Sequence, residues 1–74
     1  MDYYEVLGVT ASASPEDIQG AYRRAAMRWH PEKNQGDQEA EEKFRELAQA
    51  YAILSTLDSR KQYDDQVKQG QPFG

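Results

Sequence analysis

The chain has 74 residues, 38% of them hydrophobic and 30% charged, with 13 acidic against 9 basic residues for a net charge of -4. That length allows one small domain with a modest core, and leaves too few walls for the concave pocket of a self-sufficient enzyme. The absence of Cys removes disulfides and thiolate metal sites, and no apolar run approaches the length of a transmembrane span.

Period-two alternation is nowhere sustained, whereas helical spacing recurs, so four helices are predicted in an all-α fold. The first covers roughly Tyr3 to Leu7, with Asp2 as its N-cap and Gly8 as its stop. Residues 9–13 form a loop. The second helix opens with Ser14-Pro15-Glu16-Asp17, where Ser14 caps, Pro15 suits the first helical position and the acids suit the positive end of the dipole. Its inner face is Ile18, Ala21, Tyr22, Ala25 and Trp29. Gly20 in its interior costs about 1 kcal/mol relative to Ala. Pro31 forbids continuation and pushes His30 out of helical dihedrals, so the helix ends near Trp29.

Residues 31–37 read as a polar loop, with Asp37 capping a third helix from roughly Gln38 to Leu54. Phe44, Leu47, Ala48, Tyr51 and Leu54 are its predicted apolar stripe, facing the second helix in an antiparallel hairpin. Ser55 and Thr56 stop that helix, and Thr56 caps a fourth from about Leu57 to Val67. Arg60, Tyr63 and Asp64 read as the packed end of that helix. One domain over 1–67 is therefore expected, followed by the start of a flexible linker over 68–74.

The charge is unevenly spread. Residues 18–34 hold Arg23, Arg24, Arg28 and Lys33 against Glu32 alone, a local +3 that leaves -7 on the rest. A basic patch on an acidic domain implies a local, oriented contact. Arg24 and Arg28 are neighbours one turn apart, Arg23 lies beside Tyr22, and all three point away from the apolar stripe. Arg and aromatic side chains together on an exposed face are the types favoured at binding hot spots, although a solvated helix face is the plainer explanation. The sole His, His30, has no second His and no Cys to work with, and the proline turns Glu32 away from it. The set His30, Glu32, Asp37 and Glu39 lacks a metal-ligand spacing. No catalytic group, metal site or cofactor is expected.

Five segments in order carry a resemblance. They are Asp2-Tyr3-Tyr4-Glu5-Val6-Leu7-Gly8-Val9; Ala21-Tyr22-Arg23-Arg24 leading to Arg28-Trp29-His30-Pro31-Glu32-Lys33-Asn34; Phe44; Ala50-Tyr51 with Leu54-Ser55; and Arg60-Lys61-Gln62-Tyr63-Asp64. Together they resemble the J domain of DnaJ-type co-chaperones over residues 2 to about 66, and the Gly- and Phe-containing tail resembles the linker that follows many J domains. The resemblance implies a four-helix domain with an antiparallel second and third helix, and a His-Pro-Asp loop between them. It implies docking on the ATP-bound state of a DnaK-type chaperone and stimulation of that partner's ATP hydrolysis. The J domain supplies no catalytic group to the nucleotide and acts by biasing the partner's conformational equilibrium. The residues matching the family's docking surface are Tyr22, Arg23, Arg24, Arg28, His30, Pro31, Glu32, Lys33 and Asn34.

The chain departs from the family at Glu32, where the family has Asp. The charge is kept, the reach grows by one methylene, and the Asx-type turn that Asp supports is poorly made by Glu. Weakened stimulation is expected. Gln19-Gly20 thin the basic patch at its N-terminal end, and Ala25 stands where the family has Leu, which lightens the core by roughly 2 kcal/mol if nothing fills the space. Two readings from other classes stay open: a J-like interaction module that has lost stimulation, and a small helical nucleic-acid binder, against which the net charge of -4 argues. The expected partner is a DnaK-type chaperone, with no nucleic acid and no membrane, the fragment itself being monomeric. No signal peptide is read ahead of the first helix, and the expected setting is intracellular, cytoplasmic or nuclear.

Overall fold

The computed structural model describes residues 2–68 and 70. It contains α1 (Tyr3–Leu7), α2 (Pro15–Trp29), α3 (Gln38–Leu54) and α4 (Leu57–Lys68), with no strand among the described residues. The linker expected over 68–74 lies outside the described residues, except that Lys68 is the last residue of α4 and Gly70 sits in a turn. No described helix is long and apolar enough to cross a membrane.

Local chemistry sets the helix ends. The Asp2 carboxylate accepts from Glu5 N–H at 2.7 Å, the Ser14 hydroxyl from Asp17 N–H at 3.1 Å, and the Asp37 carboxylate from Glu39 and Ala40 N–H at 3.0 and 3.3 Å. Each satisfies amides that the first helical turn leaves without a partner. Gly8 closes α1 at φ 76°, a left-handed conformation that favours glycine. Its N–H returns to Glu5 O at 3.0 Å, and that of Val9 to Tyr4 O at 3.0 Å. At the start of α4, Arg60 N–H bonds to Thr56 O at 3.0 Å, while the Ser59 hydroxyl meets that of Thr56 and donates to Ile53 O at 2.6 Å.

The pairing of α2 with α3 is antiparallel: Tyr22 stacks on Tyr51 with centroids 4.3 Å apart, while at the other end His30 meets Phe44 edge-on at 5.5 Å. The core is Tyr4 and Leu7 from α1, Ile18 and Ala21 from α2, Leu47, Ala50 and Leu54 from α3, and Tyr63 from α4. Tyr22, Ala25 and Trp29 pack against it half-buried. The predicted stripe of α3 needs correction. Ala48 is exposed, and Ala40 and Ala50 are fully buried in its place. The reason is that α3 packs against α1 as well as α2. Its buried line therefore runs through Ala40, Leu47 and Leu54, at sevenfold spacing, instead of leaning toward α2 alone.

At the pole opposite the α2–α3 turn, Arg60 bridges three elements. Its Nε donates to the Tyr4 hydroxyl at 3.0 Å, and its Nη2 donates to Ala11 O at 3.1 Å and Ala13 O at 2.7 Å. The Tyr4 hydroxyl in turn donates to Asp64 at 2.6 Å. Burial raises the Tyr4 pKa, and the Asp64 carboxylate reinforces the shift. Tyr63, which accepts from Tyr3 N–H at 3.1 Å, is raised chiefly by burial as well.

Candidate functional site

Ordinary backbone rules make the corner after α2. His30 sits at φ -60° and ψ 135°, the extended conformation imposed by a following proline. The chain then folds back on itself through Lys33 N–H to His30 O at 3.0 Å, Asn34 N–H to Pro31 O at 3.2 Å and Asp37 N–H to Asn34 O at 3.0 Å. The Asn34 amide donates from Nδ2 to Arg28 O at 3.1 Å and to His30 O at 2.9 Å. It thus ties the last turn of α2, which has no helical donor for its carbonyls, to the corner itself. The imidazole is held separately: Nδ1 accepts from Glu32 N–H at 3.1 Å, and the ring edge meets Phe44.

The corner owes nothing to the Glu32 carboxylate, which is exposed and makes no hydrogen bond or ion pair among the described residues. The concern that a longer acid would fail to close this turn is removed, because Asn34 and main-chain groups close it. What remains is the difference in reach.

The predicted site residues divide between two flanks of α2. On the α3 side, Tyr22, His30, Glu32 and Lys33 line a groove of about 480 Å³ together with Ala26, Met27 and Phe44. On the α1 side, Arg24 and Arg28 border a smaller hollow of about 300 Å³ whose lining includes Leu7, Ala21 and Trp29. Arg23 is exposed on the outer surface, as is Pro31 at the tip of the corner. None of the three arginines of α2 pairs with a carboxylate; among the described residues the ion pair is Arg45–Glu41 on α3, at 2.8 Å. The Arg28 guanidinium lies 5.1 Å from the Trp29 ring centroid, with Lys43 Nζ 5.3 Å from the same ring. The basic surface of α2 is therefore a ridge with Arg23 on its outer face and Arg24 and Arg28 on the α1 side, while the charges beside the α3-side groove are Lys33 and Glu32 of the corner.

Sequence reasoning missed Met27 as a member of this site. Its side chain is 62% exposed beside the histidine corner. The signal was present, since Met27 falls half a turn round from Ile18 on the helical wheel and is the one large aliphatic side chain on the polar side of α2. Phe44 was read as core, whereas it is half-buried and forms the wall behind His30.

The site thus combines exposed cations, an apolar slot and a corner closed by internal hydrogen bonds. The family model described as "DnaJ domain" matches residues 2–64. The chain is 53% identical over 73 residues to "Chaperone protein DnaJ" of Chlamydia felis, a match covering 99% of this chain and 18% of that protein. It is 55% identical over 71 residues to "DnaJ homolog subfamily B member 7" of Mus musculus, covering 95% of this chain and 23% of that one. The chain thus spans about a fifth of the length of these relatives. Among solved structures, the J-Trx1 fragment of ERdj5 superposes with a TM-score of 0.85 at 33% identity, over 97% of this chain and 35% of that one.

Proposed function

The chain belongs to the DnaJ domain family, and from that premise we propose that it is a co-chaperone module that docks on a DnaK-type chaperone and stimulates its ATP hydrolysis. The observation carrying this reading is the ridge of unpaired arginines, Arg23, Arg24 and Arg28, running into a corner whose histidine is fixed by three separate contacts. Unpaired cations steer an acidic partner surface toward the ridge. A corner already folded before contact lowers the ordering cost of binding.

In this reading Tyr22, Arg23, Arg24, Arg28 and Lys33 supply affinity and orientation. His30, Pro31 and Glu32 deliver the signal, with the Glu32 carboxylate free to exchange charge-assisted hydrogen bonds with a cation of the partner. Residues 1–67 act as the docking domain. The module contributes no group to ATP chemistry. It acts by binding one conformational state of the partner more tightly than the other.

The Glu32 carboxylate sits one methylene further from the corner than the family's Asp would, so stimulation is weaker than it would be with Asp. A second reading follows from the same residue: a J-like interaction module that docks without stimulating. A single-turnover ATPase assay with a DnaK-type partner separates them. The chain is expected to stimulate, Glu32→Asp to stimulate more, and His30→Gln to abolish the effect. Equal stimulation by the chain and Glu32→Asp refutes the weakening. Binding without stimulation in the chain, restored by Glu32→Asp, selects the second reading. No binding at all, with or without the arginines, rejects docking.

A further inference from the structure

We propose that Asn34 is a positioning residue that holds the His30 corner in place, so that its effect on the partner passes through His30. The inference rests on the docking reading above and assigns Asn34 a different part in it. Both hydrogens of its amide are already committed inside the chain, one to Arg28 O at 3.1 Å and one to His30 O at 2.9 Å. A primary amide has two donors, so no donor is left for a partner and only the acceptor Oδ1 is uncommitted. The two acceptors lie on either side of the point where α2 stops, and one side chain spans the break between helix and corner.

The consequence reaches the imidazole through the chain. Asn34 and Lys33 N–H share the carbonyl of His30, and Asn34 N–H closes the turn onto Pro31 O. That turn is what brings Glu32 N–H to 3.1 Å from His30 Nδ1. An amide can donate only to an unprotonated Nδ1, so the neutral ring carries its hydrogen on Nε2. The corner therefore presents His30 as a hydrogen-bond donor with a fixed direction, backed by Phe44 at 5.5 Å. Its complement is an acceptor on the partner, a carbonyl or carboxylate oxygen. Removing the Asn34 amide frees the corner to hinge at His30 while leaving every proposed contact side chain in the chain.

The test uses Asn34→Ala and Asn34→Asp, the second keeping the shape but replacing the donors with acceptors that repel both carbonyls. The nitrogen chemical shifts of the His30 ring and amide hydrogen exchange at Glu32 and Lys33 are read on the chain alone. Binding to a DnaK-type partner is read beside them. In both variants the hydrogen-bonded Nδ1 signal is expected to be lost and exchange at the two amides to accelerate about tenfold. Binding is expected to fall to the level of His30→Gln, and Asn34→Ala is expected to cost nothing further in a His30→Gln background. Ring shifts and exchange that stay at their original values while binding falls overturn the proposal in favour of a direct contact. A loosened corner with unchanged binding overturns it too. If the unaltered chain fails to bind, the docking reading falls, and the two measurements on the chain alone still decide whether Asn34 holds the corner.

Discussion

Replacing Arg60 by Ala is expected to cost this chain much of its stability, although the residue lies far from the recognition corner. The side chain donates three hydrogen bonds, to the Tyr4 hydroxyl and to the carbonyls of Ala11 and Ala13, at 3.0, 3.1 and 2.7 Å. Hydrogen bonds from a charged donor contribute about 1.5–3 kcal/mol each when buried. Arg60 is half-buried, and solvent screening brings the figure to about 1 kcal/mol each, or about 3 kcal/mol together. A domain of this size has about 4–10 kcal/mol in total. With a urea slope of about 1 kcal/mol/M, the midpoint is expected to fall by about 3 M. Arg60→Lys is the control. It keeps the charge, but a single ammonium does not reproduce the planar fork that reaches three acceptors, so roughly half the loss is expected. A midpoint within about 0.5 M of the original for Arg60→Ala refutes the reasoning, because it means that water replaces all three bonds at no cost.

The raised pKa values of Tyr4 and Tyr63 make stability depend on alkaline pH. A phenol whose folded pKa lies above its unfolded value of about 10 stabilises the fold fully below that pH, and the contribution is lost as pH climbs through the folded value. Urea midpoints should be level through neutrality and fall above about pH 10, with Tyr4→Phe flattening part of the decline; an identical decline in that variant removes Tyr4 from the cause. Ala25→Leu is expected to raise stability by about 1 kcal/mol. The methyl of Ala25 stands between two hollows, of about 170 Å³ beside Val6 and Leu47 and about 300 Å³ beside Leu7 and Ala21. A melting temperature higher by roughly 4–8 °C confirms the filling, and a lower one means the added atoms overpack the α1–α2 seam.

The helix ends were legible in the sequence because each is written in residues with a local mechanism. Asp2, Ser14 and Asp37 cap through their own side chains, and Gly8 and Pro31 stop helices through backbone constraints. Those signals need no knowledge of the rest of the molecule. The burial of Ala50 in place of Ala48 was not legible, since it depends on α1 lying against α3, a long-range arrangement that periodicity along one helix does not encode. The same limit applied to the candidate site. Its residues could be named from their order, but two features appear only in three dimensions: the division of the site between an arginine-bordered flank and an apolar flank of α2, and the Asn34 amide committed to two carbonyls. The second changes how residue 32 is understood, since the turn does not depend on it.

Arginines on one flank of α2 and an apolar slot on the other restrict the shape of whatever engages both together. A plane can press on one slope at a time. Only a trough can grip Arg24 and Arg28 along one side while receiving Met27 and Phe44 along the other. A rod seated in a trough cannot roll about its own axis. The heading of the histidine at its tip would then be set by guanidinium groups further back along the shaft, and charge reversal at Arg24 would misdirect His30 without touching it.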